Sequence, residues 1–261
     1  MADYNRQEMM AIAGARLIEN DQMVLVGTGL PLVSTLLAKN SHAPDATVVM
    51  EAGLYDSNPE ALPFCVADPR GAYKNPWIGT AFELMAQFLQ NKRIDVGFLG
   101  GAQVDRYGNL NSTCIGAYSK PVKRFEGSGG ASDIAILAHK TIIIMAHERQ
   151  RFVENVDFIT SPGWMVSRYP DRVPVPRREL GMWGGPYAVV STMGVMKFLE
   201  DTHEMYLEGY FADLGVTPEM VLKNTGFPIN VSKAEPIVPP TEKELKILRT
   251  QIDPEGIFMK Y

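Results

Sequence analysis

Cysteine is almost missing: Cys65 and Cys114 are the only two in 261 residues. They lie far apart and form neither a C-x-x-C pair nor a metal-ligand spacing, so a disulfide framework and a structural zinc site are both unsupported. A reducing, cytoplasmic setting is expected. Long hydrophobic runs are missing too, since no stretch approaches the ~20 apolar residues that span a bilayer. The start, Met1-Ala2-Asp3-Tyr4-Asn5, lacks the basic region and apolar segment of a signal peptide. A soluble protein that meets no membrane is expected. Positive charge is in deficit, with 25 Lys and Arg against 30 Asp and Glu and a formal net charge of −5. No basic stripe stands out, and without clustered cations to neutralise phosphates a general nucleic-acid binder is excluded. There is no internal repeat and no low-complexity segment.

What is present is ordinary globular material: 46% of residues are hydrophobic and 21% charged. That is enough to bury a sizeable core, and a single α/β domain over residues 1–261 is expected. Met10, Ala13 and Leu17 recur at helical spacing, and Met23-Val24-Leu25-Val26 leads into Gly27-Thr28-Gly29, which predicts helix, strand and glycine turn in succession. Pro31 sits at the first turn of a helix through Leu32, Leu36 and Leu37, where a missing N–H does no harm. Residues 47–50, 96–99, 141–145 and 187–190 predict buried strands, and residues 80–90 a helix. Residues 163–186, rich in Pro, Gly and Arg, read as a long excursion. Residues 196–199 and 205–211 suggest a hairpin across Asp201-Thr202-His203, and helices are expected to begin near Thr217-Pro218-Glu219 and Thr241. Short, non-alternating apolar strands separated by helices imply an open, mostly parallel sheet covered by helices.

Glu51 follows the predicted strand 47–50 and precedes Ala52-Gly53, at the carboxyl edge where open α/β sheets bind ligands. A carboxylate there can equally end a strand in solvent or pair with an arginine. Gly127-Ser128-Gly129-Gly130-Ala131-Ser132-Asp133 precedes a helix-like stretch at 134–138. Its glycines would let backbone N–H groups approach an anion or oxyanion, and a tight turn with no ligand fits equally well. Gly100-Gly101-Ala102-Gln103-Val104-Asp105 and Tyr107-Gly108-Asn109-Leu110-Asn111-Ser112-Thr113 crowd amides and hydroxyls after a strand, either for polar ligand contact or as turn caps.

Three familiar chemistries fail on spacing. Gly27-Thr28-Gly29 begins like a dinucleotide turn, but Leu32 stands where the third glycine belongs. His147-Glu148 begins like a zinc-protease helix, but Arg151 replaces the second histidine. Ser128 lies between glycines, yet Phe125 and Glu126 precede Gly127, so no G-x-S-x-G is formed.

Taken in order, Gly27-Thr28-Gly29-Leu30-Pro31, Glu51-Ala52-Gly53-Leu54, Gly100-Gly101-Ala102-Gln103-Val104-Asp105, Gly108-Asn109, Asn111-Ser112-Thr113, Gly127-Ser128-Gly129-Gly130-Ala131 and Thr160-Ser161-Pro162-Gly163-Trp164 resemble the β subunits of class I coenzyme A transferases, the family of glutaconate CoA-transferase and its 3-oxoadipate relatives. The resemblance runs on through Asn224-Thr225-Gly226-Phe227 to Ile252-Asp253-Pro254 and so covers nearly the whole chain. It implies a NagB/RpiA-like α/β fold and a covalent mechanism in which Glu51, in the family's E-x-G turn, is the nucleophile. Ala52 stands where near relatives carry serine. By the same resemblance Gly129, Gly130, Gly27 and Gly29 are oxyanion or CoA-binding candidates, and Gln103, Asn109 and Asn111 candidates for substrate contact. No metal or redox cofactor is implied, coenzyme A being a substrate. The implied partners are a homologous α-type subunit in a hetero-oligomer of αβ pairs, an acyl-CoA and a small carboxylic acid. Two other readings stand beside this one: an acyl-CoA hydrolase or decarboxylase on the same scaffold, against which the retained Glu51 argues, and a noncatalytic subunit that binds CoA esters.

Overall fold

In a computed structural model that describes residues 3–168 and 173–259, the chain divides into two compact units, residues 1–99 with 238–261 and residues 100–237. The strands of the first unit are β1 (Met23–Val26), β2 (Thr47–Met50), β3 (Leu54–Tyr55), β4 (Trp77–Ile78) and β5 (Val96–Leu99), paired in the order β5-β1-β2-β3-β4. β5, β1 and β2 run parallel, and β3 and β4 fold back antiparallel. In β1 and β2 every residue after the first is buried without alternation, as strands covered on both faces require. Helix α1 (Arg6–Ala15) starts in a capping box, Asn5 accepting from its third residue and Glu8 reaching back to the Asn5 N–H. It packs on α2 (Leu30–Lys39), which carries Pro31 in its first turn as expected.

The helix expected at 80–90 takes a mixed form. One α-turn, α3 (Ala81–Leu84), capped by Thr80 and Glu83, passes into a π-helical turn, Met85–Leu89. The unit is closed by the end of the chain. The helix Glu242–Ile247 is capped by Thr241 and Glu244, and Arg16 places Nε and Nη2 each 2.8 Å from the Glu244 carboxylate in a two-point, charge-assisted pair. Arg249 Nε donates to Glu8 Oε1 at 2.7 Å.

In the second unit β6 (Gln103–Val104) and β7 (Leu110–Asn111) form a short ribbon, as do β8 (Cys114–Ile115) and β9 (Lys123–Arg124). β10 (Lys140–Met145) follows the short helix α4 (Ala131–Leu137). The region read as an excursion contains an antiparallel ribbon, β11 (Met165–Arg168) with β12 (Val173–Pro176), and a 3₁₀ turn Arg177–Leu180; its loop, 169–172, lies outside the described residues. Pro174 and Pro176 hide this ribbon from pattern reading, though an edge strand tolerates proline. β13 (Pro186–Ser191) lies parallel to β10, β14 (Gly194–Phe198) and β15 (Met205–Tyr210) follow antiparallel, and β16 (Glu235–Pro236) lies parallel to β15. The β14–β15 hairpin is the one expected across Asp201-Thr202-His203, and α5 (Pro218–Asn224) begins at its Thr217 cap.

The class is therefore α/β, with the parallel strands formed from the apolar runs that foretold them. Both cysteine thiols are free, Cys65 exposed and Cys114 buried. Among the described residues no helix is long and apolar enough to cross a membrane.

Candidate active site

The first unit brings Glu51, Gly27 and Gly29 together. Val26 of β1 is paired with Met50 of β2, so Gly27 and Glu51 leave the parallel ladder side by side at its carboxyl end. Gly29 is the N-cap of α2. Glu51 is half-buried and opens the tight turn Glu51-Ala52-Gly53, in which the Gly53 N–H donates to the Met50 carbonyl at 3.0 Å. Gly53 has φ +99°, a conformation that side chains disfavour. A Cβ on it would lie 2.7 Å from the carbonyl carbon of Gly79 and 2.8 Å from that of Thr80, both backbone atoms. The Gly53 carbonyl also accepts the Gly79 N–H at 2.8 Å. The turn is thus pinned to the residues that lead into α3, where the Glu83 carboxylate accepts from Thr80 N at 2.7 Å and Thr80 Oγ1 at 2.9 Å.

The other candidates lie in the second unit and are linked to one another. Gln103 and Asn111 face each other across the β6–β7 ribbon, Asn111 Nδ2 donating to Gln103 Oε1 and to the Cys114 carbonyl at 2.7 Å each. Asn111 Oδ1 accepts from the N–H groups of Thr113 and Cys114. Gln103 Nε2 donates to Asp157 Oδ2 at 3.1 Å, and that oxygen also accepts the Gly116 N–H. Asn109 is buried beside the Asp105 turn, with Nδ2 donating to Asp105 Oδ2 and to the Met165 carbonyl at 2.8 Å each, while its Oδ1 accepts the Gly163 N–H. Asn109 and Asn111 therefore direct their amides into the chain. Gln103, by contrast, also lines a cleft of about 330 Å³ with Lys123, Gln150 and Arg151.

Ser112, next along the ribbon, accepts the Gly127 N–H at its carbonyl and donates Oγ to the Gly127 carbonyl at 2.9 Å, which ties the glycine loop to this cluster. Gly129 has φ +48° and is exposed, and Gly130 is the N-cap of α4.

Three buried polar residues were not assigned a role from sequence. Burial pushes the Asp105 carboxyl up to about 6, against the Asn109 and Tyr107 hydrogen bonds that favour its charged form. His147, at the failed zinc motif, is 3% exposed, stacks on Phe152 with ring centres 3.8 Å apart, and places Nδ1 and Nε2 each 3.0 Å from the hydroxyls of Ser191 and Thr225. Burial drives its pKa down to about 3, so the ring is neutral. Arg177 is the third. Spacing alone could not have found them, because their partners are remote in sequence.

Comparison with known proteins agrees with this geometry. A family model described as Coenzyme A transferase matches residues 7–223. The whole chain is 42% identical to the β subunit of glutaconate CoA-transferase from Acidaminococcus fermentans, over 98% of that protein. It is 37% identical to the β subunit of 3-oxoadipate CoA-transferase from Pseudomonas knackmussii, over 95% of this chain and 94% of that one. The crystal structure of glutaconate coenzyme A-transferase from A. fermentans matches the fold with a TM-score of 0.90 at 40% identity, covering 99% of this chain and 98% of that one. These likenesses favour transfer over the hydrolase, decarboxylase and noncatalytic readings. The chain belongs to the coenzyme A transferase family, as a β-type subunit of its class I enzymes.

Proposed function

We propose that this subunit moves CoA from an acyl-CoA to a free carboxylic acid, glutaconate and other dicarboxylic acids being the first candidates, through a glutamyl-CoA thioester on Glu51. The observation that carries the reading is the seat of Glu51, a half-buried carboxylate just past a buried parallel strand, in a turn whose backbone is pinned by Gly53 against Gly79. A carboxylate is a weak nucleophile, and fixing it near its target is the largest help a protein can give.

The chemistry balances without a redox step. A Glu51 oxygen attacks the thioester carbonyl and the C–S bond breaks, giving an acyl-glutamyl anhydride and CoA thiolate. The thiolate attacks the glutamyl carbonyl carbon, the bridging C–O bond breaks, and the donor acid departs as its carboxylate. The acceptor carboxylate then displaces the thiolate from Glu51. Attack of the thiolate on the new acyl carbonyl forms the product and returns Glu51 as a carboxylate. The thioester energy is held in the anhydride, so coenzyme A is a substrate and no metal or redox cofactor is called for.

Each step develops charge on a carbonyl oxygen. We assign its stabilisation to the N–H groups of Gly129 and Gly130, and CoA contact to the turn at Gly27 and Gly29. Gln103 is assigned to substrate contact, with Asn109 and Asn111 holding the ribbon that presents it. Both relatives described above are single subunits of two-subunit enzymes, and on that ground an α-type subunit, joined in αβ pairs, completes the pocket and keeps water from the anhydride. The expected setting is the cytoplasm.

The test is a covalent trace. With acyl-CoA donor and no acceptor, the assembled enzyme should accumulate CoA on the peptide containing Met50-Glu51-Ala52-Gly53, and its steady-state kinetics should be ping-pong. Glu51→Gln should fold, form no adduct and transfer nothing. A folded Glu51→Gln enzyme that still transfers, or an adduct mapped to another residue, would refute the assignment.

A further inference from the structure

Two clefts open at the end of α4, and none of the residues assigned to the transfer chemistry lines either of them. The larger, about 540 Å³, has Arg177, Tyr187, Lys197 and His203 among its walls; the smaller, about 470 Å³, has His139 and Trp183; both share Trp164 and Arg178. Volumes of this order belong to small-ligand sites. The glycine loop stands at the start of α4, about 10 Å away at 1.5 Å per residue.

Arg177 is 1% exposed, and backbone carbonyls alone hold its guanidinium. Nη1 donates to Pro162 and Gly163 at 3.0 Å each, and Nη2 to Ala135 and Trp183 at 2.5 and 2.6 Å. Its Nε–H finds no acceptor among the described residues, and no carboxylate pairs with it there. A buried cation without a counter-ion lays a positive potential on the cleft that it lines. Arg178 and Lys197 add to it, opposed by Glu200 and by Glu208, which lies 3.8 Å from Lys197 Nζ.

The second observation is aromatic. Trp164 stacks on His203 with ring centres 4.5 Å apart, and Trp183 meets His139 edge-on at 5.6 Å. Two of the chain's three tryptophans thus stand on either side of Arg178. Cations between aromatic faces suit a ligand that carries both phosphate and a flat base, the first bound by charge-assisted hydrogen bonds and the second by stacking.

We propose that the paired clefts bind a phosphorylated nucleotide, its phosphates at Arg178 and Lys197 beside Arg177 and its base against Trp183 and His139. Such a group reaches the protein either as the nucleotide end of an acyl-CoA or as a free nucleotide. Binding does not depend on the role given to Glu51. Calorimetric titration of the assembled enzyme with ADP and with inorganic phosphate tests the proposal, in the wild type, Arg178→Ala, Lys197→Met and Glu51→Gln, with folding verified by circular dichroism. ADP should saturate the wild type and Glu51→Gln alike, bind more tightly than phosphate, and bind about tenfold or more weakly to each cleft variant, the loss expected for one charge-assisted hydrogen bond. A raised KM for acyl-CoA at unchanged kcat in those variants identifies the nucleotide end of the substrate, and an unchanged KM identifies a free nucleotide. No saturable binding of ADP, or equal binding to folded cleft variants, overturns the proposal. Transfer by Glu51→Gln would overturn the covalent reading alone.

Discussion

Gly53 is the residue on which the shape of the Glu51 turn rests. It needs φ +99° and has backbone where a methyl would go. Gly53→Ala should therefore destabilise the protein by about 1–3 kcal/mol, seen as a lower urea midpoint at unchanged slope. It should also reduce turnover by more than ~10-fold, because a misplaced nucleophile forfeits its orientation. An unaltered midpoint and turnover would mean that the turn is not pinned. His147 gives a pH signature. Its ring is neutral in the fold, with its pKa pushed down to about 3 by burial, whereas an unfolded histidine takes up a proton near 6.5. The unfolded state thus binds the proton first, and stability that is complete above pH 6.5 is lost on acidification toward pH 3, by up to ~1.4 kcal/mol per pH unit. His147→Gln should melt at a lower temperature at pH 7.5 and lose stability less steeply between pH 6.5 and 4; equal slopes in the two proteins would contradict this. Glu51 was legible because a strand end and a glycine mark its place locally. The settings of His147 and Gln103 were not, since Thr225 lies 78 residues from the first and Asp157 54 from the second.

Among the elements, the glycine loop before α4 carries the clearest functional expectation. Gly129 takes φ +48°, so Gly129→Val should distort the loop and displace the assigned oxyanion donors without touching the nucleophile. Turnover should fall ~100-fold to 1,000-fold, the usual cost of losing one such donor, with the circular dichroism spectrum retained. Unchanged turnover in a folded variant would reduce the loop to a turn. Strands and helices with continuous apolar runs, such as β1, β2, β10 and α2, were readable because burial on both faces leaves no other pattern. The β11–β12 ribbon was not, because Pro174 and Pro176 stand inside it, and the π-helical turn at Met85–Leu89 has no signature apart from ordinary helix-forming residues.

At the level of the whole molecule, the expectation is dependence on a partner. The isolated chain should show little transferase activity and gain it when the α-type subunit is added, as follows if the two share an obligate interface, commonly larger than ~2,000 Å². Full activity from the purified chain alone would remove the need for a partner. The family was legible because its motifs recur in order along nearly the whole sequence. The return of the chain to its first unit was not, because the pairs Arg16–Glu244 and Arg249–Glu8 join residues 228 and 241 positions apart.

That return bears on the order in which a ribosome delivers the protein. The Glu51 turn emerges early, yet Arg16 and Glu8 have no Glu244 and Arg249 to meet until synthesis is nearly over. By then residues 100–237 are already outside the tunnel and free to fold as a unit. The unit that carries the nucleophile is therefore the last to be completed, and a nascent chain stalled before Val238 would present Glu51 on an unfinished scaffold.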